Sequence, residues 1–320
     1  DEEEFARIKT KTINEIKRSD ANPNVVASRV YNKILYGENH IFSYPTSGTV
    51  ASVEAITIED LKAFYTKNYS PSISNFHVVG AITEANSKNS LASLGKNWAT
   101  KEVVIPSYPV ENNRDKTSLY FVDIPDAKQS VINIGFISMA RTNKDFYPAE
   151  VMNYKLGGSF SGNVNLILRE EKGYTYGART GFSGSKIKGT FKASSSVRTN
   201  TTGESVSIFK EEIANYKNGV SQEDLDFTKN AMIKSNARRF ETQSSLLGML
   251  QEMSTYDLPA NYIAEEEAIV GAMTLDESKM AYVVIGDAAT QFAQFKDMGF
   301  DEVKLMSKEG EEVKLDDVKM

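Results

Sequence analysis

The chain has 320 residues, enough for about two domains with separate cores, and its 40% hydrophobic and 25% charged content is that of an ordinary globular protein. A formal charge of −6 argues against nucleic acid as the main partner, and no apolar run approaches the length of a membrane span. The absence of cysteine excludes disulfides, thiolate zinc sites and a cysteine nucleophile, and leaves cytoplasm and periplasm equally open.

In chain order, residues 2–19 predict a helix with Phe5, Ile8, Thr12, Ile13 and Ile16 on one stripe and acids at its start. A second helix follows Asn22-Pro23, with Val26, Val30 and Ile34 inward. After a loop from Gly37 to Gly48, Thr57-x-x-Asp60 is a capping box opening the helix of Leu61, Phe64 and Tyr65. Ile73–Val79 predicts a strand, and a helix rich in Ser and Leu runs on to Trp98. Lys101–Lys116 is polar, carries Pro106 and Pro109 and shows neither period; residues 104–116 are the expected linker.

Beyond the linker, strands are expected at Leu119–Ile124 and Val131–Met139, then a helix at Pro148–Leu156. The glycines of Gly157–Gly162 lack the order of a phosphate-binding loop and fit a turn into the next helix. Ser161 is placed to cap that helix, Val164, Ile167 and Leu168 share one face, and Gly173 ends it in a left-handed turn. From Tyr174 the period becomes two, with Tyr174, Tyr176 and Ala178 expected on one side and Thr175, Gly177 and Arg179 on the other. Arg169 thus closes a helix and Tyr176 opens a strand, near enough to share a site. On the local pattern alone the structural reading is the stronger one, with Arg169 offsetting the helix macrodipole and Tyr176 a half-buried strand residue, and it is the rest of the chain that reverses this. A strand at Thr190–Val197, helices from Gly203, Ser221, Thr242 and near Tyr262, a strand at Tyr282–Ile285 and a last helix to Met298 complete an α+β pattern.

A faint internal repeat runs through this series. Ala55–Lys62 matches Ala272–Lys279, and each copy leads to a closing strand, at Val78-Val79-Gly80 or Val284-Ile285-Gly286. The first copy begins level with the middle of the second, so two related domains are expected, the first incomplete at its N-terminus. Residues 1–103 would be the closing half of the first and 117–320 a complete second.

The helix–strand junction from Leu166 to Arg179, the run from Glu38 through Tyr65, and Tyr69-Ser70-Pro71 resemble the pitrilysin/insulinase family of zinc peptidases, the inverzincins. The resemblance covers nearly the whole chain and implies two α/β domains, each a mixed, mainly antiparallel sheet packed with helices. It also implies that Arg169 and Tyr176, seven positions apart, bind substrate peptide opposite a zinc held elsewhere. The family's H-x-x-E-H zinc motif is not in this sequence. Its only histidines, His40 and His77, are too far apart for a one-turn pair and are expected in turn and packing roles. Ala6 stands where the family's third zinc ligand, a Glu, would be, and a methyl group cannot bind metal.

The expectation is therefore a non-zinc, substrate-binding part of a zinc metalloendopeptidase. No catalytic or metal residue lies in this segment; zinc sits in a homologous partner half, and the substrate is an unstructured peptide. A non-catalytic scaffold or peptide-binding subunit of the same fold is the alternative.

Overall fold

A computed structural model describes residues 1–110, 116–216, 221–268 and 281–313. The N-terminal part is helical: α1 (Glu2–Ser19), α2 (Pro23–Tyr36), α3 (Val50–Ala55), α4 (Ile58–Asn68) and α5 (Glu84–Asn97). Their starts are chemically defined. Asn22 accepts from the Asn24 N–H ahead of Pro23, and Thr57 and Asp60 exchange hydrogen bonds as a full capping box.

Then come β1 (Ser118–Asp123), β2 (Gln129–Ile137), α6 (Phe146–Asn153) and α7 (Asn163–Asn165), with π-helical turns at Tyr154–Gly158 and Leu166–Glu171. Strands β3 (Thr175–Phe182) and β4 (Thr190–Arg198) form a hairpin. After it lie α8 (Thr202–Tyr216), α9 (Gln222–Arg238), α10 (Gln243–Tyr256), α11 (Tyr262–Ala268), β5 (Ala281–Gly286), α12 (Ala288–Gln291) and β6 (Glu302–Met306). No helix among the described residues is long and apolar enough to cross a membrane.

The six strands form one mixed, mainly antiparallel sheet in the order β3-β4-β2-β5-β1-β6; β1 runs parallel to β5 and β6. One face buries Leu119, Phe121, Ile132, Ile134, Phe191 and Val284 against Leu156, Val164 and Leu168, and against Val206, Phe209 and Ile213 of α8. On the other face Val26, Ala27, Val30, Tyr31 and Leu35 of α2 pack on Val122, Val131, Val283 and Ile285. That contact ties the N-terminal helices to the sheet. Gly135 makes the close approach possible: a Cβ there would collide with the Phe191 carbonyl and the Tyr31 hydroxyl, which hydrogen-bonds that carbonyl at 2.8 Å. Helices α10 and α11 are pinned by Arg141, which donates to Glu252 at 2.6 Å and Glu266 at 3.0 Å, with Arg239 reaching both acids.

Four sequence expectations need correction. Ile73–Val79 is not a strand: Pro71–Ile73 is a 3₁₀ turn, and residues 74–79 pair with no strand among the described residues, so alternation alone did not make a ladder. Strand β6 was not expected; its partner β1 lies over 180 residues earlier. Ser161 caps nothing, since the helix begins at Asn163 after Gly162. The strict alternation from Tyr174 is broken by a bulge, described below. The second copy of the repeat, Ala272–Lys279, lies outside the described residues, as do 111–115 of the linker.

Candidate functional site

The junction between α7 and β3 is built from an unusual helix and an irregular strand. α7 continues through Leu166–Glu171 as a π-helix, with the Lys172 N–H reaching back to the Ile167 carbonyl at 2.9 Å. The wider turn keeps Leu168 wholly buried while Arg169, next along, stays part exposed. Gly173, at φ +64°, reverses the chain as the sequence led one to expect. In β3 the register slips between Thr175 and Ala178, so one extra residue is accommodated as a bulge. Hydroxyls hold it: Thr175 Oγ1 donates to the Ser196 carbonyl at 2.7 Å and accepts from the Gly177 N–H at 3.0 Å, and Ser195 donates to the Gly177 carbonyl at 3.0 Å.

The bulge decides where Tyr176 goes. Ala178 is fully buried in the core, yet Tyr176 is 92% exposed, so the two do not share a side as alternation implied. Tyr176 is equally not the half-buried strand tyrosine of the purely structural alternative. The Arg169 guanidinium stacks 4.5 Å above the Phe160 ring, itself exposed, and its Nε lies 3.3 Å from Glu170. An exposed pair of neighbouring side chains such as Arg169–Glu170 contributes little. The other close neighbour of the guanidinium is the Phe160 ring.

Two hydrogen bonds clamp helix to strand on either side of this pair. The Tyr174 N–H donates to the Leu168 carbonyl at 2.8 Å, and the Ala178 N–H donates to Asn165 Oδ1 at 3.0 Å. Asn165 is buried, and its Nδ2 also donates to the Phe160 carbonyl at 2.7 Å, so one amide joins the ring under Arg169 to the strand carrying Tyr176. The reading from sequence missed Asn165. Its signal is a polar residue at a buried position beside Val164, one turn before Leu168. Further along, Glu204 of α8 accepts from Lys172 at 2.8 Å and from the Tyr174 hydroxyl at 2.6 Å, and those two bonds, Lys172 first, hold its carboxyl below the usual range.

No zinc-binding set accompanies this junction among the described residues. Ala6 is an exposed methyl on α1, and Glu4, its nearest acid on the same turn, is engaged by Arg7 at 2.6 and 2.7 Å. His40 is buried, its Nδ1 accepts from the Phe42 N–H at 3.1 Å, and its ring stacks on Tyr36 at 4.8 Å. His77 is half-buried in the extended segment that forms no strand. Among the described residues no three His, Cys, Asp or Glu side chains are grouped to hold a metal. The described residues do not fit zinc.

Comparison with known proteins places the fold. Residues 55–232 match the family model described as the peptidase M16 inactive domain, more than half of the chain. The crystal structure of a peptidase M16 inactive domain from Pseudomonas fluorescens superposes with a TM-score of 0.79 at 23% identity, covering 89% of this chain and 71% of that one. An uncharacterized zinc protease of Streptomyces coelicolor is 25% identical over 209 residues, 63% of this chain and 44% of that protein. A probable inactive metalloprotease of Bacillus subtilis, YmfF, is also 25% identical, over 66% of this chain and 49% of its own length. The chain spans about half the length of these curated relatives. The chain belongs to the peptidase M16 family, the pitrilysin-type peptidases, and matches that family's inactive domain.

Proposed function

We propose that this segment is the substrate-binding, non-zinc part of a zinc metalloendopeptidase, acting beside a homologous half that holds the metal. Residues 1–103 are then the closing half of a first related domain, joined by 104–116 to a second, 117–320. The observation that carries the reading is the junction itself. A phenol at 92% exposure and a guanidinium lying over Phe160 stand on one helix–strand corner, braced by Asn165.

In that role the Tyr176 hydroxyl donates to a substrate carbonyl, and the Arg169 N–H groups left free by the stacking donate to the same peptide. Both groups fix the peptide's register and stabilise negative charge on its oxygen. Activation of water is the chemistry that zinc supplies in the other half; none of this chain's residues performs it. The alternative, a non-catalytic scaffold or peptide-binding subunit, keeps the fold and drops the carbonyl contact; the inactive-domain match supports it as well.

Elemental analysis and a quenched-peptide assay test the reading. The purified chain is expected to hold no stoichiometric zinc and to cleave nothing, and hydrolysis is expected once the zinc-bearing half is added. Hydrolysis of equal rate by the zinc-bearing half alone would leave the scaffold.

A further inference from the structure

On the face of the sheet opposite the main core, α2 covers β2 and β5, and a cavity of about 410 Å³ lies where α2 meets the outer strands β3 and β4. Its volume falls within the range of roughly 300–1,000 Å³ typical of small-ligand sites. The register explains its shape. Lys192 on β4 pairs with Gly135 on one side and Gly181 on the other, so no side chain flanks its stem in either neighbouring strand. One row along, Ser194 pairs with Arg179. Side chains with the same parity share a face, which puts both cations on this floor.

Neither cation is paired with a carboxylate among the described residues. Lys192 is more than half withdrawn from water, its Nζ 5.8 Å from the centre of the Tyr31 ring, and burial alone depresses its pKa. A half-buried ammonium with no counter-charge is costly to the fold unless something else brings one. Around it Ser28 and Asn32 of α2 and Ser194 line the cavity with side chains that make no hydrogen bonds among the described residues. A pair of unneutralised cations with spare donors, in a chain of net charge −6, is the complement of a small anion.

We propose that this trough is a carboxylate-binding subsite, with Lys192 and Arg179 as its cationic anchors and Ser28, Asn32 and Ser194 as donors around them. Taking the carboxylate to be that of a peptide, either its C-terminus or a Glu or Asp side chain, rests on the functional reading above; capture of the carboxylate rests on the trough alone. Gly181 serves the site by its lack of a side chain: a Cβ there would meet nothing within 4 Å, so packing does not require glycine at that position. It is open space that a ligand can use.

The test is fluorescence anisotropy on the assembled protein in chelator, with three short coumarin-labelled peptides of Ala, Ser and Leu. One has a free C-terminus, one is amidated and carries a single Glu, and one is amidated and carries Gln. At least one acid form is expected to bind roughly tenfold more tightly than the Gln amide, and which one does so separates terminus from side chain. Lys192→Met and Gly181→Val should each erase the difference, and Lys192→Arg should keep it, all three with wild-type circular dichroism and with Lys192→Met melting at or above the wild-type temperature. Equal binding of the three peptides, no binding up to about 1 mM, or a preference that survives both Lys192→Met and Gly181→Val would overturn the proposal. If acid and amide bind alike while Arg169→Ala and Tyr176→Phe still slow hydrolysis, the trough assignment falls and the peptidase reading stands. A charge preference that persists when those two variants leave hydrolysis untouched isolates the failure in that reading.

Discussion

Helices α4 and α8 are comparable in length and differ in what holds them. α4 begins with a complete capping box, yet none of its residues is buried, and Leu61, Phe64 and Tyr65 remain exposed. α8 buries seven residues, four of which, Val206, Ile208, Phe209 and Ile213, lie in the main core beneath the sheet. Caps set where a helix starts; the surface offered to its apolar face sets how firmly it is held.

The largest expected effect sharpens that contrast directly. Phe209→Ala should cost about 3–5 kcal/mol in denaturant unfolding, whereas Phe64→Ala, at 60% exposure, should fall within about 0.5 kcal/mol of wild type. Similar losses for both would show that α4 is packed as tightly as α8. Next is Glu150 on α6, which burial, only partly offset by Arg141, pushes up to about 7 from its ordinary 4.5. The folded state then holds a proton that the unfolded state releases, so this contribution is complete below about 4.5 and is lost as pH rises through about 7. The loss is on the order of 3 kcal/mol, and Glu150→Gln should flatten that slope in melts run across this window.

Smaller again is Asn165→Ala, which strips the Ala178 N–H and the Phe160 carbonyl of their partner. It should destabilise by about 1–3 kcal/mol and blur the circular dichroism of the nearby aromatics, because the junction loses its brace. The least is Thr57→Ala on exposed α4, expected at about 1 kcal/mol in the same unfolding assay. A larger effect than that of Asn165→Ala would invert the comparison between the two regions.

Local chemistry was legible in the residues themselves. Asn22-Pro23, Thr57 with Asp60, Thr242 and Gly173 mark helix ends where the backbone places them, because caps act over three or four positions. That Arg169 falls at a helix end and Tyr176 in the strand after it was legible for the same reason. What depends on pairing was not. Phe76-His77-Val78-Val79 carries strand residues but has no ladder partner in the described structure, while Glu302–Met306 gains one from β1. The bulge that turns Tyr176 outward needs Ser195 and Ser196 from another strand. The trough around Lys192 exists only once Gly135 and Gly181 are brought beside it by register.

The role of the corner itself is most directly tested by kcat/KM for a quenched peptide, measured on the assembled peptidase with Arg169→Ala and Tyr176→Phe combined. Loss of contacts to a developing oxyanion predicts a fall of roughly 10²-fold or more, with zinc content and assembly unchanged. A wild-type kcat/KM from that double variant would contradict the account and leave the chain as a scaffold.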